Sequence, residues 1–201
     1  MRGRIRQEQP RTNLRNLILE SARRVFAREG HTKISMRKLA SEIGYSPATI
    51  YQHFESKAQL LDDLVEESFV GLLGALEATR QEDPERALKA GLRAYVTFGL
   101  ENPHHYLFAF MLRGEGQRRV RYRPHAAFDY LRECVDRCLE GGRSGGLDAE
   151  IAAQILWASM HGLTSLLLVR PEFPWVDRTI LIDVALDRVI GGVLSPLSGG
   201  H

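Results

Sequence analysis

Cysteine is almost missing from this chain of 201 residues: there are two, Cys134 and Cys138, four positions apart. Two thiols cannot make a disulfide scaffold, and a reducing compartment such as the cytoplasm is the simpler expectation. Alternating apolar and polar runs bounded by turn residues are absent, so no strands are expected. Glycine (18) and proline (8) stay near average, which excludes collagen-like and low-complexity chains. Net charge is small as well, +2, beside a hydrophobic fraction of 44%. A chain disordered throughout would show the reverse balance, so one or two folded domains are expected. Behind Met1-Arg-Gly-Arg-Ile-Arg no apolar run follows, and no secretory signal is expected there.

The small net charge conceals a division. Residues 1–57 carry twelve Lys and Arg against five Asp and Glu, whereas residues 58–201 carry fifteen against twenty. A balance of +7 followed by one of −5 suggests a polyanion-binding end joined to an ordinary globular remainder. A solvated charged face is the plain alternative.

Helical spacing runs through almost the whole chain. Leu14, Leu17, Ile18, Ala22, Val25 and Phe26 share one face, and Gly30 supplies a stop. Met36, Leu39, Ala40 and Ile43 form a second, short stripe between the N-cap candidate Ser35 and Gly44. Ser46-Pro47 reads as N-cap plus first-turn proline of a very short helix reaching about His53. Ser56-Lys57-Ala58-Gln59 is a capping box opening a long helix to about Thr79. Asp83-Pro84 opens a helix to Glu101, Asn102-Pro103 breaks it, and His104–Leu112 resumes. Residues 114–124, with Arg118, Arg119, Arg121 and Arg123, read as a loop. Helices are then expected over Pro124–Leu139, Asp148–Val169 and Asp177–Leu194, the first two separated by a glycine-rich linker at 141–146. The expected architecture is all-α, about nine helices in two domains, 1–57 (basic arm 1–12, helix-turn-helix 35–54) and 58–195, with a frayed tail at 196–201. Ile151–Val169 is uncharged for nineteen positions, long enough to span a bilayer. Its Gln154, Ser159, His161, Thr164 and Ser165 favour a buried or interface helix instead, and no membrane partner is expected.

Two helices joined by a short turn containing glycine form a helix-turn-helix, whose second helix can enter a major groove. At its start Pro47, Ala48 and Thr49 are small enough for close approach to base edges, and Thr49 offers both a hydroxyl and a methyl. Tyr51 and His53 stand at phosphate height, with core packing the alternative for Tyr51. Lys57 in the first turn of the next helix opposes the helix dipole, a cost that a bound phosphate would reverse. Arg37 and Lys38 repeat that pattern at the start of the preceding helix, and the N-cap candidates Ser35 and Ser46 join Arg37 among the residues expected at DNA.

The run from Ile34 to Lys57, with Ala48-Thr-Ile-Tyr51, His53-Phe54 and Lys57, resembles the DNA-binding motif of TetR-type transcriptional regulators. The likeness extends back through Val25-Phe-Ala-Arg-Glu-Gly30 and forward through Leu60-Leu61. Further on, Trp157-Ala-Ser-Met-His161-Gly162 and the break Phe98-Gly-Leu-Glu-Asn-Pro103-His-His-Tyr106 resemble one C-terminal subfamily of these regulators. The resemblance implies a homodimer on palindromic or near-palindromic operator DNA, with Thr49 and its neighbours near bases and Tyr51, His53 and Lys57 on phosphates. Ile50 and Phe54 would face inward. The arm with Arg2, Arg4, Arg6 and Arg11 is expected either to reach a minor groove or to remain a solvated tail.

A dimer contact is expected on the last two helices, through Ile155, Leu163 and Leu166 and through Ile182, Ala185, Leu186, Val189 and Val193. An effector pocket, with ordinary core the alternative, is expected from Phe98, Tyr106, Phe110, Met111, Trp157, Met160 and His161. None of these is a charged carboxylate or ammonium, which suits an apolar or aromatic small molecule. The function expected is that of a sequence-specific regulator, a repressor released by such a ligand, with no cofactor and no enzymatic activity. A ligand-independent DNA-binding factor is the first rival. A helical-bundle metalloenzyme using His104, His105, His125 and the cysteines is the second. Gly142-Arg-Ser-Gly-Gly146 fits G-x-S-x-G, but without a strand before it the run reads as linker. Glu101-Asn-Pro-His104 has a di-iron spacing interrupted by proline.

Overall fold

The structure, a computed structural model, describes residues 11–30, 33–111, 124–140 and 147–195, without the side chains of 11, 12, 108, 111, 124 and 125. The basic arm as far as residue 10, the loop at 112–123, the linker at 141–146 and the tail from 196 lie outside the described residues. Among the described residues there are nine helices and no strand: α1 Arg11–Glu29, α2 Met36–Ile43, α3 Pro47–Tyr51, α4 Lys57–Glu77, α5 Pro84–Glu101, α6 Pro103–Met111, α7 Pro124–Glu140, α8 Ala149–Val169 and α9 Arg178–Leu194. Two compact units part inside α4, between Val65 and Glu66, and Phe110 at the end of α6 is grouped with the first.

The first unit is built on a small apolar centre. Ile18, Leu19, Ala22 and Val25 of α1 are fully buried, as are Leu39, Ile50, Phe54 and Leu60. α1 ends because Gly30 takes a positive φ of 81°, and its N–H closes onto the Phe26 carbonyl at 2.8 Å. The first turns of α4 belong here for a physical reason. Arg15 of α1 pairs with Asp63 at 2.5 Å while its guanidinium lies over the Phe54 ring, 5.1 Å from the centroid.

In the second unit, caps place the helices. Asp83 accepts the Arg86 N–H at 2.8 Å, Asp148 the Glu150 N–H at 2.8 Å, and Asp177 the Ile180 N–H at 3.0 Å. α5 packs against α7, α8 and α9, and α8 against α7 and α9. α8 is the helix among the described residues long and apolar enough to cross a membrane, with a mean hydropathy of 1.4. Its inner face, Ala152, Ala153, Leu156, Met160, Thr164 and Leu167, is buried within this unit. Gly99 permits the tight approach of α5: a Cβ there would stand 2.5 Å from Thr164 Cγ2 and 2.9 Å from Tyr106 Cδ2.

Candidate nucleic-acid interface

The first unit presents α2, a turn and α3. Ser35 stands in extended backbone, and its hydroxyl accepts the Lys38 N–H at 3.3 Å. Gly44 ends α2 in the left-handed region at φ 72°, a conformation that costs residues with a Cβ about 1–2 kcal/mol. Its N–H reaches the Ala40 and Ser41 carbonyls, and the Tyr45 N–H closes on Ala40 at 2.9 Å. Ser46 then caps α3, accepting the Thr49 N–H at 3.2 Å, and Pro47 takes the first helical position. The regular helix ends at Tyr51 rather than His53. The His53 N–H closes a tighter turn on the Ile50 carbonyl at 3.0 Å.

Burial divides α3 into two sides. Ile50 and Phe54 are fully buried, whereas Pro47, Ala48, Tyr51 and Gln52 are exposed, Tyr51 by 53%. Thr49, His53 and Lys57 are half-buried, and Ser35, Arg37 and Ser46 are exposed. All nine residues expected at DNA therefore stand between Ser35 and Lys57 of the first unit, on α2, α3, the turns beside them and the start of α4. Gln52 is exposed beside them, outside the sequence expectation. The outward register of Ala48 and Tyr51 against the inward pair Ile50 and Phe54 is the signal that points to it.

Charge around this side is partly spent. Lys38 bonds Glu29, whose carboxyl it holds below the usual range, and Arg28 bonds Glu42. Arg37 remains exposed with no ion pair among the described residues. Lys57 opens α4 behind its N-cap Ser56, which accepts the Gln59 N–H at 3.1 Å. The return bond of the capping box goes one residue further out than expected, from the Glu55 N–H to Gln59 Oε1 at 2.6 Å. A short helix with an uncharged outer side, flanked by cations, is one arrangement that can meet a duplex. Small groups approach base edges while guanidinium and ammonium groups meet phosphates.

The residues expected to line a pocket lie differently. Tyr106 and Met160 are buried, His161 and Phe98 half-buried, and Trp157 is 39% exposed. Phe110 is grouped with the first unit, and the Met111 side chain lies outside those described. Tyr106 Oη is 2.7 Å from His161 Nδ1 and donates to the His161 carbonyl at 3.2 Å, with the two rings stacked. Tyr95 Oη is 3.0 Å from the same nitrogen. Burial pushes the Tyr106 phenol up to about 12, raises that of Tyr95 further, and lowers the affinity of the imidazole for a proton. Tyr95 is an addition to the expected set. Its spacing from Leu88, Leu92 and Gly99, which marks the inner face of α5, is the signal that points to it. A concave surface of about 660 Å³ opens elsewhere in this unit, lined by charged residues including Glu77, Arg80, Glu133 and Arg137. Arg80 forms a two-pronged contact with Glu133 there, at 2.9 and 3.0 Å.

On the last two helices, Ile155 and Leu166 are exposed, and Leu163, Ile182, Ala185 and Val189 are half-buried. Leu186 and Val193 turn inward, 0% and 5% exposed, because they fill the chain's own core. Cys134 and Cys138 are buried, and burial pushes the Cys134 thiol up. Among the described residues no three His, Cys, Asp or Glu side chains come together as metal ligands would.

Residues 18–64 match the family described as bacterial regulatory proteins, tetR family, and residues 88–190 match the tetracyclin repressor-like C-terminal domain. Nucleoid occlusion factor SlmA of Shewanella sp. (strain W3-18-1) is 30% identical over 173 residues, 82% of this chain and 87% of that relative. A Rhodococcus sp. RHA1 protein of unknown function superposes with a TM-score of 0.80 at 25% identity, covering 94% of this chain and 98% of its own. The TetR family transcriptional regulator PfmR from Thermus thermophilus superposes at 0.69, also at 25% identity, covering 92% and 98%. The C-terminal match spans more than half the chain and the N-terminal one covers the capped, half-exposed α2–α3 pair, so this protein belongs to the tetR family of bacterial regulatory proteins and is a DNA-binding transcriptional regulator.

Proposed function

We propose that the protein acts as a cytoplasmic homodimer on a near-palindromic operator, as a repressor released by a small apolar or aromatic molecule. The observation that carries the DNA side is the division of α3 into a buried side, Ile50 and Phe54, and an exposed uncharged side beside Arg37. Pro47, Ala48 and Thr49 face bases in this reading. Ser35, Arg37, Ser46, Tyr51, His53 and Lys57 hold phosphates and set the register. Dimerisation is supported by apolar side chains left in solvent on α8 and α9: Ile151, Ile155, Leu166 and Val169, with Ile180 and Val184. Gly191 and Gly192 are exposed beside them and have open space where a Cβ would stand. Two copies double the number of base pairs read. The effector is expected to meet the aromatic group of Trp157, Phe128 and His161, with ring centroids 5.9 Å apart for Phe128–Trp157 and 6.3 Å for Trp157–His161.

A duplex recovered by this protein from a random pool provides the test. Tyr51→Phe and Lys57→Ala are expected to weaken binding to every sequence, and Lys57→Ala to flatten the salt slope by about one unit. Unchanged gel shifts in both variants would sink the assignment. A second reading, a DNA-binding factor without effector, is favoured by the closely packed Tyr95–Tyr106–His161 interior and by the nucleoid occlusion factors among the relatives. A compound that raises Tm and lowers operator affinity would decide for the first reading.

A further inference from the structure

We infer that α3 reads thymine methyls through Ala48 and Thr49, so that each half-site contains an A·T pair selected by its methyl group rather than by a hydrogen bond. The inference rests on the reading of α3 as the helix that meets DNA. The hydroxyl of Thr49 is turned into the cap of its own helix: Oγ1 is 2.9 Å from Ser46 Oγ, which also accepts the Thr49 N–H. The pairing takes one hydrogen-bonding position of that oxygen and holds it toward the start of a helix only five residues long. The methyl of Thr49 takes no part in that pairing. Its outward neighbours Pro47 and Ala48 are exposed and present small apolar surface. No residue of α3 is charged, so the guanidinium–guanine pairing that most often specifies a base is not available from within it. Thymine is the base that shows a methyl in the major groove, and burying methyl against methyl strands no polar group. Of the exposed hydrogen-bonding side chains around α3, Ser46 is engaged with Thr49, and Tyr51 and Gln52 stand at the other end of the helix.

Deoxyuridine removes the thymine methyl and nothing else. In the duplex recovered from a random pool, each thymine is replaced in turn and Kd is measured. At one or two positions in each half-site Kd is expected to rise about fourfold, and about fifteenfold when both half-sites are changed, as one buried methyl implies. Thr49→Val keeps the methyl and should keep that sensitivity. Thr49→Ser keeps the hydroxyl and should lose it at one position. Indifference to deoxyuridine everywhere overturns the inference, as does discrimination retained by Thr49→Ser and lost by Thr49→Val, with folding checked by circular dichroism. Ala48→Glu separates the two levels of failure. If it abolishes binding while deoxyuridine is silent, methyl readout alone falls; if it leaves binding intact, α3 does not meet DNA and both readings fall.

Discussion

Gly99 and His161 are the single positions where the second unit is most exacting. A methyl added at Gly99 would overlap Thr164 and Tyr106, both fully buried and unable to swing into solvent. Gly99→Ala should therefore lower unfolding stability by about 1–3 kcal/mol. Gly74→Ala, at an exposed position of α4 with open space where a Cβ would stand, should raise it by about 0.5–1 kcal/mol. Urea unfolding of both variants at one protein concentration checks the contrast. His161 makes a pH prediction. Its folded imidazole takes a proton less readily than the ordinary 6.5, because burial penalises the cation. Below about pH 6.5 the unfolded chain thus binds more protons, and stability falls as pH drops from there towards the folded value. The loss should be shallower in His161→Gln; parallel curves for wild type and variant between pH 7 and 5 would contradict it.

At the level of elements, α3 is the weak member. Five residues cannot hold a helix in water unaided, so the Ser46 cap and the anchors Ile50 and Phe54 maintain it. Ser46→Ala removes the acceptor of the Thr49 N–H and should cost about 1 kcal/mol. If that cost is borne by the DNA-competent form of α3, operator affinity falls about fivefold. Titration of the same duplex with Ser46→Ala and Ser46→Asp measures it, and the aspartate, also a good cap, should restore the fold but not the contact with phosphate. The α2–α3 pair is readable from sequence because its caps, Ser35 and Ser46, and its stop, Gly44, act on neighbours within five positions. The end of α3 differs from the sequence expectation by two residues, since the tighter turn at His53 depends on Phe54 being drawn into the core.

For the whole molecule, the apolar stripes of α8 and α9 carry the expectation of self-association. Leu166→Glu together with Ile180→Glu places two carboxylates where exposed aliphatic groups now stand, without disturbing the chain's own core. Sedimentation equilibrium should then report a monomer, with operator affinity reduced by at least about a hundredfold, since each copy reads a half-site alone. A dimer surviving both changes would move the contact elsewhere. Leu186 and Val193 would be poor choices for this experiment, because their replacement opens the interior instead.

Helix positions, the capped α2–α3 motif and the split of charge followed from residue order alone. A cap, a first-turn proline or a glycine in the left-handed region acts on hydrogen bonds a few residues away, and that range is visible in any linear reading. Partner choice across the fold was not visible. His161 meets Tyr106 across 55 positions and Tyr95 across 66, and Arg15 meets Asp63 across 48. Whether a side chain on an apolar stripe turns inward, as Leu186 does, or stays in solvent, as Leu166 does, depends on which neighbouring helix covers it. Even the contact of the Thr49 hydroxyl with Ser46, three residues away, did not follow from residue order, because a threonine has more than one χ1 rotamer open to it.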